Sequence, residues 1–297
     1  MTTPAALPPG GGAVTRRPWP PRAVAVLACP VCAGPLSALP GDTGLRCPAG
    51  HSFDRARQGH VTLLPPGHTP PSGDSAAMVA DRAAVLEAGT YAGLTRALAD
   101  AVAAGEGPVD AVLDLGGGTG HHLAGVLGRL PGAVGVVLDS SRYAARRAAG
   151  ASPRALAVVA DTWARLPVRD GAVDRVTVVF APRNGPETAR VLRPGGRLVV
   201  ATPAADHLAE LVGPLGLLRV DPDKAARTAA SLQPHLAPAG ATAHREELEL
   251  DSRAVASVVG MGPHARHLAP GELAGRLAVL PPRVRVTLAV DLTTWTA

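Results

Sequence analysis

All three cysteines of the chain, Cys29, Cys32 and Cys47, fall within nineteen residues. With His51 they give the spacing C-x2-C-x14-C-x3-H, from Cys29-Pro30-Val31-Cys32 and Cys47-Pro48-Ala49-Gly50-His51. Each pair sits at the tip of a tight turn, so its two ligands can converge on one ion. Two such turns supply the closed tetrahedral set of a structural zinc, with no open position for a catalytic water. Gly34 and Gly50 lie where such turns need positive φ. A segment of about forty residues lacks the core to fold alone, and metal binding supplies the missing free energy. The competing reading is three buried thiols and a surface histidine. Metal is favoured because it uses every cysteine, and an odd, clustered count argues against a disulfide scaffold.

A second constellation is Val109-Asp110-Ala111-Val112-Leu113-Asp114-Leu115-Gly116-Gly117-Gly118-Thr119-Gly120-His121-His122-Leu123. It reads as a strand, a glycine loop and a helix start. Glycines such as Gly116, Gly118 and Gly120 let backbone approach a ligand closely at the helix N-terminus. Asp139 follows Gly120 by nineteen residues and can accept both ribose hydroxyls of a bound nucleoside. A nicotinamide dinucleotide fits this pattern, as does a merely structural turn. Asp114 tips the balance: a carboxylate beside the loop repels a pyrophosphate but suits the ammonium and sulfonium of S-adenosylmethionine. Asp161, closing the third strand, is placed to reach an adenine amino group.

Apolar runs at 109–113, 133–138, 155–159, 173–180 and 196–201 alternate with helical patterns at 119–130, 141–149, 185–192 and 205–217. This alternation predicts an α/β fold with a parallel sheet covered on both faces. Two late strands are expected at 246–250 and 284–293, and two helices at 75–87 and 91–103, the first capped by Asp74 or Ser75. The expected division is a disordered tail over 1–22, a zinc-binding ribbon over 23–66, a helical linker over 67–105 and the α/β domain over 106–297.

The composition narrows the function. No run of about eighteen uncharged apolar residues occurs, so a membrane partner is not expected, and the Pro- and Gly-rich start lacks the apolar core of an export signal. Reduced thiols and a cytoplasmic location follow as expectations. Of 29 basic residues only Lys224 is a lysine, and the net charge is +5. Arginine suits forked contacts to phosphate and stacking on bases. Aromatic residues make up only 2%, which excludes a broad stacking platform for single strands.

Taken together, the chain resembles the bacterial 23S rRNA (guanine-N1)-methyltransferases of the RlmA family, including its macrolide- and tylosin-resistance branch. The resemblance runs from about residue 26 to the C-terminus. It rests on the Cys-Pro-x-Cys turn, on Arg46-Cys47-Pro48-Ala49-Gly50-His51-Ser52-Phe53-Asp54 and on Gln58-Gly59-His60-Val61-Thr62-Leu63-Leu64. It continues through Gly73-Asp74-Ser75-Ala76-Ala77-Met78-Val79, Ala88-Gly89-Thr90-Tyr91, Ala181-Pro182-Arg183-Asn184 and Ala201-Thr202-Pro203. The segments 166–174 and 191–198 likewise look like features of class I methyltransferases. The implied fold is a Rossmann-like, S-adenosylmethionine-dependent methyltransferase domain with a small N-terminal zinc ribbon. The implied activity is methylation of guanine N1 in a 23S rRNA hairpin near the peptide exit tunnel, by a homodimer whose ribbon takes part in RNA recognition. Carried over by position, Zn2+ falls to Cys29, Cys32, Cys47 and His51, and donor contacts to Tyr91, His122, Leu123 and His207. Family members usually have Tyr at His60 and Asn at Thr62, so any RNA contact there must differ.

Guanine N1 carries a proton that must leave before or during attack. The 181–184 loop closes the fourth strand, beside the departing methyl. Asn184 is placed to orient the base edge, or simply to cap the next helix; Arg183 to hold phosphate or the guanine carbonyl, or to stay solvated. The base has to be unpaired or extruded to be reached. Arg16, Arg17, Arg22, Arg46, Arg55 and Arg57 are candidate RNA contacts, and His264 and His267 candidate neighbours of the acceptor. Two other functions fit: a small-metabolite methyltransferase, and a catalytically silent RNA-binding module. Label transfer to rRNA fragments and calorimetry with S-adenosylmethionine discriminate them.

Overall fold

The computed structural model describes residues 17–70, 73–105, 107–221, 223–262 and 271–297. Its centre is an eight-stranded sheet. In chain order the strands are β4 (Val61–Thr62), β5 (Ala111–Leu115), β6 (Val134–Asp139), β7 (Ala155–Val159), β8 (Val173–Val179), β9 (Leu192–Pro203), β10 (Ala237–Asp251) and β11 (Arg283–Thr296). Their spatial order is β10-β11-β9-β8-β5-β6-β7-β4. All neighbours from β4 to β9 are parallel, whereas β11 runs antiparallel to β9 and β10 to β11. The order reverses between β5 and β8, and open α/β sheets bind ligands in the crevice at such a switch point.

Alternation along each strand feeds two cores. From β5, Leu113 and Leu115 enter one core and Val112 the other; from β6, Leu138 and Val137 divide the same way; from β9, Val200 and Val199. The second core is closed by α2 (Ala76–Glu87), α3 (Ala92–Ala103), α4 (His121–Arg129) and α9 (Ser252–Gly260). Between α4 and α9 lie α5 (Arg142–Ala148), α6 (Gly185–Val191), α7 (Ala209–Leu215) and α8 (Lys224–Leu232), and α10 (Glu272–Leu277) follows. Ser75, Ser141 and Asp251 cap α2, α5 and α9 by accepting backbone N–H groups.

The opposite face carries the ribbon. It comprises a short helix α1 (Pro21–Ala25) and the strands β1 (Ser37–Ala38), β2 (Gly44–Arg46) and β3 (Ser52–Asp54), which form an antiparallel three-stranded sheet. The crossover from β7 to β8 contains no helix. Leu27 bridges to Val168 in that crossover, and Ala23, Val24, Leu27 and Leu45 join the core beneath it. The ribbon thus covers the sheet where a crossover helix would lie, and its last strand, β4, becomes the sheet edge beside β7.

Three expectations change accordingly. The tail is structured at its end: Trp19 is buried, its backbone N–H bonds to Asp42 and its indole N–H to Gly59. The 67–105 segment is no linker, since α2 and α3 build one face of the α/β domain. Strand and helix limits shift by a few residues, most at β10, which begins nine residues before the expected 246.

Candidate functional site

The four expected metal ligands converge. Sγ of Cys47 lies 3.3 Å and Sγ of Cys29 3.6 Å from Nδ1 of His51, and the Cys32 and Cys47 sulfurs are 3.7 Å apart. Ligands about 2.3 Å (sulfur) and 2.0 Å (nitrogen) from a tetrahedral zinc are about 3.5–3.8 Å apart, so the cluster fits that ion. Backbone sets the two turns: Cys29 N–H donates to Gly34 O at 2.7 Å, and Gly50 N–H to Cys47 O at 2.9 Å. Gly50 has φ 91°, as the spacing requires, but in the first turn Ala33 (φ 58°), not Gly34, takes the left-handed conformation. Burial opposes ionisation of Cys47, but hydrogen bonds to His51 and the neighbouring thiols bring it down to about 6.

At the switch point, β5 delivers the glycine loop. Gly116, Gly118 and Gly120 have φ of 66°, 57° and 74°, a region that glycine enters without strain. A Cβ on Gly116 would come 2.5 Å from the Ala181 Cβ, so the loops after β5 and β8 are in contact. Asp114 is buried beneath the loop; its Oδ1 accepts the Thr177 hydroxyl at 2.7 Å and its Oδ2 has no partner. Burial raises its pKa to about 7, the Thr177 bond opposing and Asp139 adding to the rise. Asp139 closes β6 and accepts N–H groups from Gly118 (2.9 Å) and Ser141 (2.7 Å), each oxygen keeping a lone pair for a hydroxyl. A buried and a half-buried carboxylate under one loop favour a cationic ligand and oppose a diphosphate.

Asp161 lies after β7, accepting Trp163 N–H at 2.8 Å and bonded to Nε2 of His68 at 2.8 Å. His68 was not singled out from sequence; an isolated histidine in a Pro/Gly loop carries no local signal. His122 is in the first turn of α4, its Nδ1 2.9 Å from the Thr95 hydroxyl. Burial, then His121 and Arg82, push its pKa down to about 3. The Leu123 side chain is fully buried against Gly135, so its expected donor contact falls to its first-turn N–H.

Tyr91, Phe180 and His207 form an aromatic wall. The Phe180 centroid is 6.4 Å from Tyr91 and 5.6 Å from His207. The His207 Nδ1–H donates to Ala289 O at 3.0 Å, so β11 fixes this ring. Phe180, one of two phenylalanines, is assigned no ligand contact by its sequence position; its φ of 52° is a strained conformation of the kind that gathers at functional sites.

The acceptor loop divides its two candidates. Asn184 caps α6: its Oδ1 accepts Glu187 N–H, and its amide donates to Thr162 O and Ala164 O, both at 3.1 Å. Both amide hydrogens are thus spent on structure, which corrects its expected place at the base edge. Arg183 is half-buried, and its Nε has no partner. Among the basic candidates, Arg55 builds the ribbon by stacking 4.6 Å over Trp19 and donating to Arg17 O, and Arg22 pairs with Asp110. Arg17, Arg46 and Arg57 are exposed, as is Thr62, whereas His60 is buried. Arg16, His264 and His267 lie outside the described residues.

The zinc-ribbon family model described as "RlmA, N-terminal" matches residues 27–69. The 23S rRNA (guanine(748)-N(1))-methyltransferase of Streptomyces fradiae is 53% identical, covering 91% of this chain and 96% of the relative. A Micromonospora griseorubida protein of the same family name is 53% identical over 90% of this chain and 95% of its own. The chain belongs to the 23S rRNA (guanine-N1)-methyltransferase family. YxjB of Bacillus subtilis (strain 168), also of that family name, is 31% identical over 62% of this chain and 66% of its own. As a member, this chain is an S-adenosylmethionine-dependent enzyme with a zinc ribbon. Cys29, Cys32, Cys47 and His51 suit the metal, and the carboxylates under the glycine loop suit the donor's positive charge.

Proposed function

We propose that this enzyme methylates N1 of a guanine in a 23S rRNA hairpin near the peptide exit tunnel. It acts in the cytoplasm as a homodimer and blocks macrolides by that mark. The observation that carries the reading is Arg183: a cation whose Nε is unpartnered, on a loop that touches the glycine loop. Bound over that loop, S-adenosylmethionine supplies an electrophilic methyl group. Asp114 and Asp139 serve its charged and hydroxyl groups, Asp161 its adenine, and Tyr91, His122 and His207 line the pocket. Arg183 then faces the acceptor. A guanidinium on guanine O6 stabilises the anion left when N1 gives its proton to water, which makes N1 a better nucleophile toward the methyl carbon as the carbon–sulfur bond breaks.

The experiment is nucleoside mass spectrometry of a 23S hairpin transcript incubated with enzyme and donor. Formation of N1-methylguanosine is expected, and an unmodified transcript with a labelled small metabolite instead would overturn the reading. Among the described residues no helix is long and apolar enough to cross a membrane.

A further inference from the structure

The junction between the ribbon and α5 carries chemistry that neither the zinc centre nor the donor pocket uses. A cavity of about 390 Å³ lies there, lined by Gln58 of the ribbon, by Val79 and Ala80 among others of α2, and by Tyr143, Arg146 and Arg147 of α5. None of its lining residues is acidic.

The sequence of α5 builds this wall. Ala144, Ala145 and Ala148 are buried, and Arg142, Tyr143, Arg146 and Arg147 are left on the exposed face. Tyr143 is one of two tyrosines in the chain, and the other, Tyr91, is buried. Arg142 covers one side of the Tyr143 ring, 5.0 Å from its centroid, and donates to the phenol oxygen at 3.0 Å. No second ring or cation stacks on Tyr143 among the described residues. Arg147 meets Glu87 at 3.4 Å in a solvent-exposed pair, a contact weak enough to yield to phosphate. The pKa of His60 in the ribbon is depressed first by burial and then by the Arg146 guanidinium, which places that charge near the ribbon.

We propose that this cleft seats an unpaired nucleotide of the RNA substrate, its base stacked on Tyr143 and its phosphates held by Arg146 and Arg147. The combination selects the occupant. A free phosphate has no use for the ring, and an acidic peptide has no flat face to lay on it. A nucleotide has both, and the cavity falls within the range of about 300–1,000 Å³ of small-ligand sites. Scarce aromatics exclude a stacking platform but permit a single stack, which tolerates any base. Because the ribbon supplies Gln58 and the α/β domain the walls from α2 and α5, the nucleotide spans the two parts of the molecule. The inference rests on the RNA-methylating reading above.

The test uses the full-length, zinc-loaded protein and the 23S hairpin transcript, with binding followed by fluorescence anisotropy. The transcript is also made with an abasic nucleotide at each unpaired position in turn. Tyr143→Ala is expected to weaken binding about ten-fold, as loss of one base–aromatic stack does, while Tyr143→Phe stays near wild type. One abasic position weakens wild-type binding similarly and has no further effect on Tyr143→Ala. Arg146→Ala lowers the slope of log affinity against log salt by about one. Wild-type affinity in Tyr143→Ala, or abasic effects equal in both proteins, overturns the proposal. Methylation of the same transcript by wild type is scored separately. Its absence sinks the activity reading, whereas its presence with unchanged Tyr143→Ala binding sinks the cleft alone.

Discussion

At the residue scale the site depends on a few groups held in unusual states. Cys47→Ser removes a ligand from the closed set, so it should abolish stoichiometric zinc in metal analysis. It should also lower the thermal midpoint to that of the chelator-treated wild type. Arg183→Ala should reduce kcat/KM on the hairpin about 10- to 100-fold, since a hydrogen bond from a charged group is worth about 1.5–3 kcal/mol, with donor affinity unchanged in calorimetry. Asp114 and His122 give opposite pH dependences. His122 is depressed to about 3, so the unfolded chain binds the extra proton below its ordinary value near 6.5. Its contribution is present at neutral pH and is lost as pH falls from about 6.5 towards 3. Asp114 is raised to about 7, so the folded chain holds the extra proton between about 4 and 7 and stability from this group is lost as pH rises through that window. Denaturant titrations from pH 4 to 7 should therefore show a shallower rise in stability with pH for His122→Asn than for wild type. Donor affinity should strengthen from pH 6 to 8 as Asp114 ionises, and Asp114→Asn should flatten that dependence in calorimetry.

At the element scale the chain shows what a pattern can and cannot specify. Strands β5 to β9 were legible because short β-branched runs ended in Gly, Pro or Asp, and the glycine loop and acidic residues marked their functional ends. The α8 helix was not, because it buries only Thr228 and Leu232 and its apolar side is otherwise alanine, which does not stand out in so alanine-rich a chain. Only the second half of β10 was seen, since residues 237–243 are all exposed and show no alternation. The role of Asn184 was open for a different reason: capping and base recognition need the same residue type, and only the Thr162 and Ala164 carbonyls decide between them. Of the aromatic wall, Tyr91 and His207 were expected beside the donor and only Phe180 escaped, because nothing local to a phenylalanine that closes a strand marks its contact with rings from two distant segments. Leu27 tests the ribbon's seat on the crossover to β8. Leu27→Ala should cost about 2–5 kcal/mol in chemical denaturation, the range for a buried leucine.

At the scale of the whole molecule, charge and cover act together. The net charge of +5 is carried almost wholly by arginines, exposed at Arg17, Arg46, Arg57, Arg142, Arg146 and Arg147 on the ribbon and α5. RNA affinity measured by anisotropy should fall steeply and log-linearly with salt, and Arg46→Ala with Arg57→Ala should make that fall shallower without changing which guanine is modified. This basic balance was visible in the composition, but the approach of the ribbon to the arginines of α5 was not, because the ribbon's position on the sheet is a long-range property.

That position has a consequence for the cell. A chain truncated before residue 67 would not release a free-standing catalytic half. It would lose β4, bare the edge of β7 and strip the cover from an apolar sheet face, and such edges and faces aggregate. Starving the cell of zinc loosens the same lid, so the extent of ribosome modification should track metal supply through the amount of soluble enzyme rather than through its turnover.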